Sequence, residues 1–134
     1  MRLWHQELIH LLPRQQLLGQ HRECCALRGR SWGKKHSVVD YVFTHRPEYL
    51  VAYHYLVMRE MERRGYKPDP IWYRPNYRGK VLGMDTWTSD ALVSEILEQY
   101  TAGPIFSEHN DEYLVDCLEN LRSKGIDLYN LEAK

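Results

Sequence analysis

The sequence predicts an all-α fold, a single compact domain of about four or five helices with long connecting loops. Apolar residues recur at helical spacing in several segments, and the alternating patterns of β-strands are nearly absent. Many prolines and glycines fall between those segments, where they break the chain. A length of 134 residues fits one domain, residues 1–134, and suffices for a hydrophobic core without disulfides.

The first strong helix is predicted to begin at Pro13 and to stop at Gly29. Proline is tolerated at the first helical position because its missing N–H has no intrahelical partner there. The residues at helical spacing are Leu17, Leu18, His21, Cys24, Cys25 and Leu27. The preceding run, 3–12, is mixed in polarity and is expected to pack as a turn of helix or an extended arm.

The clearest helix is predicted to open at Pro47 and to close at Gly65. Its apolar stripe consists of Leu50, Tyr53, His54, Val57, Met58 and Met61. Such a stripe buries one face of a helix against the core. The short apolar segment 38–43 before it is ambiguous between helix and strand. Residues 66–84 contain three prolines and two glycines, which predicts a loop.

Two further helices are predicted in the last third of the chain. Thr88 or Ser89 can cap the first of them, whose apolar positions are Leu92, Val93, Ile96 and Leu97. Asn110 or Asp111 can cap the second, which Gly125 closes. The apolar positions of this last helix are Tyr113, Leu114, Cys117, Leu118 and Leu121.

Composition excludes several classes of protein. With 43% hydrophobic and 27% charged residues, the chain is not expected to be disordered. No apolar run reaches the roughly 18 residues of a membrane span, and the N-terminus lacks a signal core. An odd number of cysteines, with Cys24 and Cys25 adjacent, indicates reduced thiols in a cytoplasmic protein. Metal-binding and phosphate-loop motifs are absent, so no metal and no cofactor are expected.

Charge is unevenly distributed although the formal net charge is zero. Residues 1–36 carry +5, residues 37–80 carry +3, and residues 81–134 carry −8. A basic half of this kind can bind a polyanion through one face. The alternative is that the two halves neutralise each other in the fold.

Glu23 is the only acidic residue between Glu7 and Asp40. Neighbouring cations favour the ionised form of such a lone carboxylate, and the carboxylate would repel a phosphate backbone. The cations around it in sequence are Arg14, Arg22, Arg28 and Arg30. The sequence leaves two readings open, a functional carboxylate in a basic surface or a helical salt bridge.

Five short elements occur in order along the chain: Arg2 directly after the first residue, Arg22-Glu23, Lys35-His36, Arg64-Gly65-Tyr66 and Tyr77-Arg78-Gly79. In their order and spacing they resemble the pyrimidine-dimer DNA glycosylase family, of the bacteriophage endonuclease V type. The resemblance covers roughly residues 1–80.

The resemblance implies that the nucleophile is the α-amine of Met1 and that Glu23 is the catalytic carboxylate. Glu23 would stabilise the cationic imine and assist proton removal. Independently, an α-amine has a reference pKa of about 7.7–8.0, so a useful fraction is neutral at pH 7. Arg2 would lower that pKa further. The sequence departs from the family at Gln16, which takes the place of a histidine.

The phage-type C-terminus, basic and rich in aromatics, is also missing. The stretch 72–80 could replace it by stacking and phosphate contact, or it is a loop pinned by its aromatic residues. The resemblance implies DNA contacts for Arg2 and Arg22, and the basic surface extends the predicted set. The predicted DNA-binding residues are Arg2, Arg14, Arg22, Arg28, Arg30, Lys34, Lys35, His36 and Arg78.

The sequence therefore predicts a base-excision repair enzyme, a DNA glycosylase with AP lyase activity on pyrimidine dimers through an N-terminal Schiff base. Its expected partner is damaged double-stranded DNA, without a membrane, and its expected state is a monomer in the cytoplasm, with the nucleoid if bacterial. One alternative is a non-catalytic helical module that binds nucleic acid or protein through the basic N-terminal half. Another is an assembly component whose acidic half covers the basic half.

Overall fold

A computed structural model of the chain describes residues 2–29, 37–100 and 103–128. It contains four α-helices within these ranges: α1 (Arg14–Arg28), α2 (Pro47–Arg63), α3 (Asp90–Gln99) and α4 (Asp111–Ser123). Three short 3-10 helices span Gln6–Leu11, Ser37–Thr44 and Pro70–Tyr73. The predicted all-α class is confirmed. None of the described helices has both the length and the hydropathy to cross a bilayer.

Helix α2 occupies the centre of the fold and contacts α1, α3 and the 3-10 helices Gln6–Leu11 and Ser37–Thr44. Every residue of its predicted apolar stripe is buried, because a 3.6-residue period places the stripe on one face. Burying each large apolar side chain contributes about 1.5–3 kcal/mol. The central helix was therefore predictable in position and in the face that it buries.

The helix ends are set by local hydrogen bonds and turns that the sequence predicted. Ser89 Oγ accepts from the Leu92 N–H at 3.1 Å, and Asn110 Oδ1 accepts from the Tyr113 N–H at 2.9 Å. These bonds satisfy N–H groups that have no partner inside the helix. After α2, Gly65 has φ +89°, a left-handed conformation that glycine adopts at low cost.

The N-terminal segment belongs to the core. Leu3, Leu8 and Leu12 are completely or almost completely buried, and an extended stretch leads into the 3-10 helix Gln6–Leu11. Its apolar residues pack in the same cluster as those of α1 and α2. This packing fixes the path of the chain directly after Arg2. The ambiguous segment 38–43 lies within a 3-10 helix.

Candidate active site

Hydrogen bonds from Gln20 attach the start of the chain to α1. Gln20 Nε2 donates to the Arg2 carbonyl at 3.0 Å, and Gln20 Oε1 accepts from the Trp4 N–H at 2.6 Å. The Tyr53 hydroxyl donates to the Trp4 carbonyl at 2.5 Å. Gln20 is only 2% exposed, so these bonds are shielded from water. Because residues three apart share a helix face, Gln20 holds the segment beside Glu23.

A cleft of about 450 Å³ opens where the N-terminal segment, α1 and α4 meet. Glu23 and Arg2 both line this cleft. The other lining residues are Trp4, Gln16, Gly19, Gln20, Asn120 and Lys124. Gln16, the residue at the family's histidine position, thus lies in the same cleft as the carboxylate. The structure brings together Arg2 and Glu23, two residues far apart in sequence.

Two cations of this cleft lie close to aromatic rings. The Arg2 guanidinium is 5.9 Å from the ring centroids of both Trp4 and Tyr113. Lys124 Nζ lies 5.3 Å from the Trp4 ring centroid. Cation–π attraction positions such groups without using their hydrogen-bond donors. The cleft therefore combines one carboxylate, whose Oε1 is shielded from solvent, with two cations suited to a phosphate.

The remaining predicted DNA-binding residues have different environments. Arg14 and Arg22 are exposed on α1, and the Arg14 guanidinium lies 5.6 Å from the Tyr66 ring centroid. Arg78 is half-buried, and its Nε donates to the Arg28 carbonyl at 2.9 Å. The other five predicted site residues lie outside the described residues: Met1, Arg30, Lys34, Lys35 and His36.

Arg28 requires a correction, because its side chain is only 2% exposed. Its guanidinium donates to the carbonyls of Trp72 (2.8 Å), Arg74 (2.8 Å) and Tyr77 (3.0 Å). It also lies 5.1 Å from the Trp72 ring centroid. Burial lowers the pKa of Arg28 to about 10, so it stays charged at neutral pH. Arg28 fastens the loop to α1, because its two terminal nitrogens contact the loop carbonyls and His54, and its burial keeps it from phosphate.

The stretch 72–80 is accordingly pinned against the helical core. Besides the Arg28 hydrogen bonds, the Trp72 and Tyr77 ring centroids lie 4.7 Å apart in an edge-to-face contact. The Trp72 ring also packs on the His54 ring, with centroids 5.8 Å apart. This geometry matches the reading of a loop held by its aromatic residues, and the half-buried Trp72 faces protein as well as solvent.

A second polar cluster, which sequence reasoning missed, joins α1 to α2. His21 Nδ1 lies 2.8 Å from His54 Nε2, and Cys25 Sγ lies 3.9 Å from the same His54 atom. The spacing of His21 and Cys25 indicates one helix face, but nothing local connects them to His54 on another helix. The geometry of the three groups is compact enough to hold a metal ion.

The hydrogen bonding of this cluster does not fit a metal site. Arg28 Nη1 lies 3.0 Å from His54 Nδ1, and arginine can only donate. His54 therefore carries its proton on Nε2 and donates it to His21 Nδ1. A metal-bound histidine instead donates its second N–H to an acceptor. The cluster is a hydrogen-bonded chain between helices.

A larger cleft, of about 1030 Å³, lies on another part of the surface and is lined by residues that include Arg59, Glu60 and Ser107. Glu60, which lines it together with the acidic residues Glu7 and Asp111, is already engaged, because its Oε2 accepts from Arg63 at 2.5 Å and from Arg64 at 2.6 Å. These ion pairs lower the pKa of Glu60 despite the opposing effect of burial. Size alone does not mark the candidate site, since the smaller cleft holds the combination that the sequence predicted.

Comparison with protein families assigns the chain to a class of DNA repair enzymes. The family model of pyrimidine dimer DNA glycosylase matches residues 1–74, which contain both α1 and α2. The protein belongs to the pyrimidine dimer DNA glycosylase family. No curated protein and no solved structure matches the chain. The matched range contains Arg2 and Glu23, whereas Asn120 and Lys124 of the cleft lie beyond it.

Proposed function

We propose that the protein excises pyrimidine dimers and cleaves the resulting abasic strand, with the α-amine of Met1 as nucleophile. The observation that supports this proposal is the shared cleft of Arg2 and Glu23. Met1 is bonded to Arg2, and consecutive Cα atoms are about 3.8 Å apart across a trans peptide. The hydrogen bonds of Gln20 to the segment 2–4 keep the start of the chain at the cleft.

In the proposed reaction the neutral amine attacks C1′ of the damaged nucleotide. The glycosidic C–N bond breaks with its electron pair going to the base, which takes up a proton and stays joined to the other base of the dimer. The amine nitrogen loses one proton and forms a cationic imine with C1′ as the C1′–O4′ bond opens and O4′ is protonated. The imine acidifies the C2′ proton. A base removes this proton, the electrons form the C2′–C3′ double bond, and the 3′ phosphate departs.

Glu23 suits two steps of this sequence. Its carboxylate stabilises the imine cation in a cleft where water is partly excluded, and it accepts the C2′ proton as a general base. Arg2 and Lys124, which carry positive charge in the same cleft, disfavour the ammonium form of the amine. They also suit the phosphates that flank the attacked sugar.

The proposed partner is damaged duplex DNA. Arg14 and Arg22 expose their side chains on the helix that carries Glu23, and the basic segment 30–36 follows that helix in sequence. Such cations bind phosphate without regard to base sequence. A lesion lowers the cost of distorting the duplex to expose the sugar, which gives damaged sites an advantage.

Borohydride trapping on a duplex with an abasic site tests the proposed nucleophile. Protein that starts at Met1 is compared with protein that carries one added glycine. The extension turns the Met1 amine into an amide and moves the free amine by about 3.5 Å. We expect a covalent adduct at Met1 in the first protein and at least a 100-fold loss of trapping and cleavage in the second. The thermal melt should be unchanged.

Lys34→Ala, Lys35→Ala, Lys67→Ala and Lys124→Ala test the side-chain amines that could replace Met1, and Lys124 lines the same cleft as Glu23. Equal cleavage by native and extended protein would indicate that the nucleophile is a side chain. If both proteins bind damaged DNA and neither cleaves it, the non-catalytic binding module is the better account.

A further inference from the structure

The chain reverses direction between Asn76 and Asp85 in a loop with its own hydrogen bonds. The Arg78 N–H donates to the Gly83 carbonyl and the Gly83 N–H donates to the Gly79 carbonyl, both at 2.8 Å. At the base, the Asp85 N–H donates to the Asn76 carbonyl at 2.8 Å. Gly79 and Gly83 have φ values of +101° and +65°, which glycine adopts readily. We call residues 76–85 the hairpin loop.

The tip of the hairpin loop is apolar and faces solvent. Val81 is 96% exposed and Leu82 is 51% exposed. Met84 and Trp87, which follow the tip in sequence, are also exposed. Isolated apolar residues on a surface need no explanation, but a contiguous exposed set marks an interaction site. Burial of such a tip requires a partner with an accessible apolar interior.

The base of the hairpin loop is fixed to α1. Arg28 donates to the carbonyls of Arg74 and Tyr77, both in or directly before the loop. In return, Arg78 Nε donates to the Arg28 carbonyl at 2.9 Å. Glu23 precedes Arg28 by five residues, about 7.5 Å along the helix axis, and faces another side of the same helix. The tip is therefore held at a set position relative to the helix that carries the candidate carboxylate.

Three cations lie in or beside the hairpin loop. Lys80 adjoins Val81 and is exposed, as is Arg74 before the loop. The Arg78 guanidinium lies 5.3 Å from the Trp87 ring centroid. A partner that complements an apolar tip with cations nearby has anionic groups on its surface and apolar groups stacked in its interior. Duplex DNA has this arrangement, with phosphates on its rim and stacked bases within.

We propose that Val81 and Leu82 form a wedge that inserts between base pairs beside the damaged site. This inference rests on the proposed function, since it assigns the wedge to the same DNA substrate. Apolar side chains inserted at a base step unstack it and bend the duplex, and a damaged step is cheaper to unstack. Val81 and Leu82 lie beyond residues 1–74, the range of the family match.

The test uses a duplex with a tetrahydrofuran abasic analogue, which cannot form a Schiff base, next to a 2-aminopurine reporter. Binding of wild-type protein should raise the reporter fluorescence several-fold because the base unstacks. The double variant Val81→Ser/Leu82→Ser should lose that rise and bind the analogue at least 10-fold more weakly. Its affinity for undamaged duplex should change less than two-fold.

Val115→Ser is the matched control, because Val115 is also 51% exposed but lies on α4. It should behave like wild type, and both variants should keep the wild-type melting temperature because they alter exposed side chains. Normal fluorescence and affinity in the double variant would overturn the wedge and indicate that the tip serves a protein or membrane partner. An equal loss on damaged and undamaged DNA would also overturn it.

Different measurements test the wedge and the proposed reaction. Cleavage of an ordinary abasic duplex by wild-type protein reports on the Met1 chemistry, whereas the tetrahydrofuran duplex reports on insertion alone. Wild-type cleavage with unaffected reporter fluorescence would reject only the wedge. A reporter rise without wild-type cleavage would reject only the reaction.

Discussion

Helix α1 carries two polar stripes with the same spacing, and they differ in what lies opposite them. Gln16, Gln20 and Glu23 face the N-terminal segment and line an open cleft. The second stripe consists of His21, Cys25 and Arg28 and faces α2 and the loop 72–77. We call these the cleft stripe and the buried stripe.

The buried stripe uses its polar groups inside the protein. Its hydrogen bonds run from the loop carbonyls through Arg28 and His54 to His21. The cleft stripe uses Gln20 in the same manner but presents Glu23 to a cavity large enough for part of a substrate. Residue type and helical spacing therefore do not distinguish a structural polar group from a functional one. The element that packs against the stripe distinguishes the two kinds of polar group.

The largest expected effect comes from Glu23→Gln in the cleft stripe. Losing the carboxylate should reduce strand cleavage by about 100-fold or more, measured as single-turnover cleavage of damaged duplex. Binding of damaged DNA should stay equal or become tighter, because a carboxylate repels phosphate. Cys25→Ser in the buried stripe is the control and should cleave normally. Normal cleavage by the Glu23 variant would indicate that Glu23 only forms a helical salt bridge.

Arg28→Met should have the largest effect on stability. The change leaves the carbonyls of Trp72, Arg74 and Tyr77 without their buried donor. We expect the free energy of unfolding to fall by about 3 kcal/mol, measured by urea denaturation. The matched control is Arg22→Met, on the exposed side of the same helix, which should change stability by about 0.5 kcal/mol or less. Equal stability of the two variants would show that the hydrogen bonds of Arg28 to the loop carbonyls contribute nothing to the free energy of unfolding.

Acid pH should destabilise the protein through His21 and His54, which join α1 to α2. Burial is the largest cause that lowers the pKa of His54 and of His21, and nearby arginine charges lower both further. A histidine that stays neutral when folded but binds a proton when unfolded reduces stability below the unfolded pKa of about 6.5. Each such histidine costs up to about 1.4 kcal/mol per pH unit below that value.

The comparison of wild type with His54→Gln between pH 7 and pH 5 measures this effect. Glutamine can still accept from Arg28 and donate to His21, but it does not titrate. On acidification the variant should therefore lose less stability than wild type, and the difference should equal about the contribution of one histidine. Because His5 and His109 also have lowered pKa values, some pH dependence should remain. Identical pH profiles of the two proteins would contradict the assignment of His54.

The smallest expected effect concerns the salt dependence of DNA binding. About five phosphate contacts would give a slope near −4.5 in log K against log salt. Arg22→Ala should reduce the magnitude of that slope by about 0.9 and weaken binding to all sequences alike. Val115→Ser, which removes no charge, is the control. A wild-type slope near zero would favour the reading in which the acidic third of the chain covers the basic half.

Much of the helical framework was predictable because it depends on neighbours in sequence. The stripe of α2, its start at Pro47 and the caps Ser89 and Asn110 all follow from contacts within a few residues. Glu23 was also identifiable, since it is a lone acid among arginines. The interpretation of Arg28 as a phosphate contact came from the same local view and was corrected by its burial.

The sequence by itself determined the helix class, the helix ends and the apolar faces, and it named Glu23 as a candidate catalytic residue and Arg2 as a candidate DNA contact. Only the tertiary structure decided that Arg28 and His54 belong to a buried hydrogen-bonded chain, and that Lys124 reaches the cleft. The physical reason is distance along the chain. Periodicity and capping are short-range, whereas the loop carbonyls that accept from Arg28 lie 44 to 49 residues away and His54 lies 26 residues away. They are brought together only by the packing of α1 and α2 with the loop 72–77.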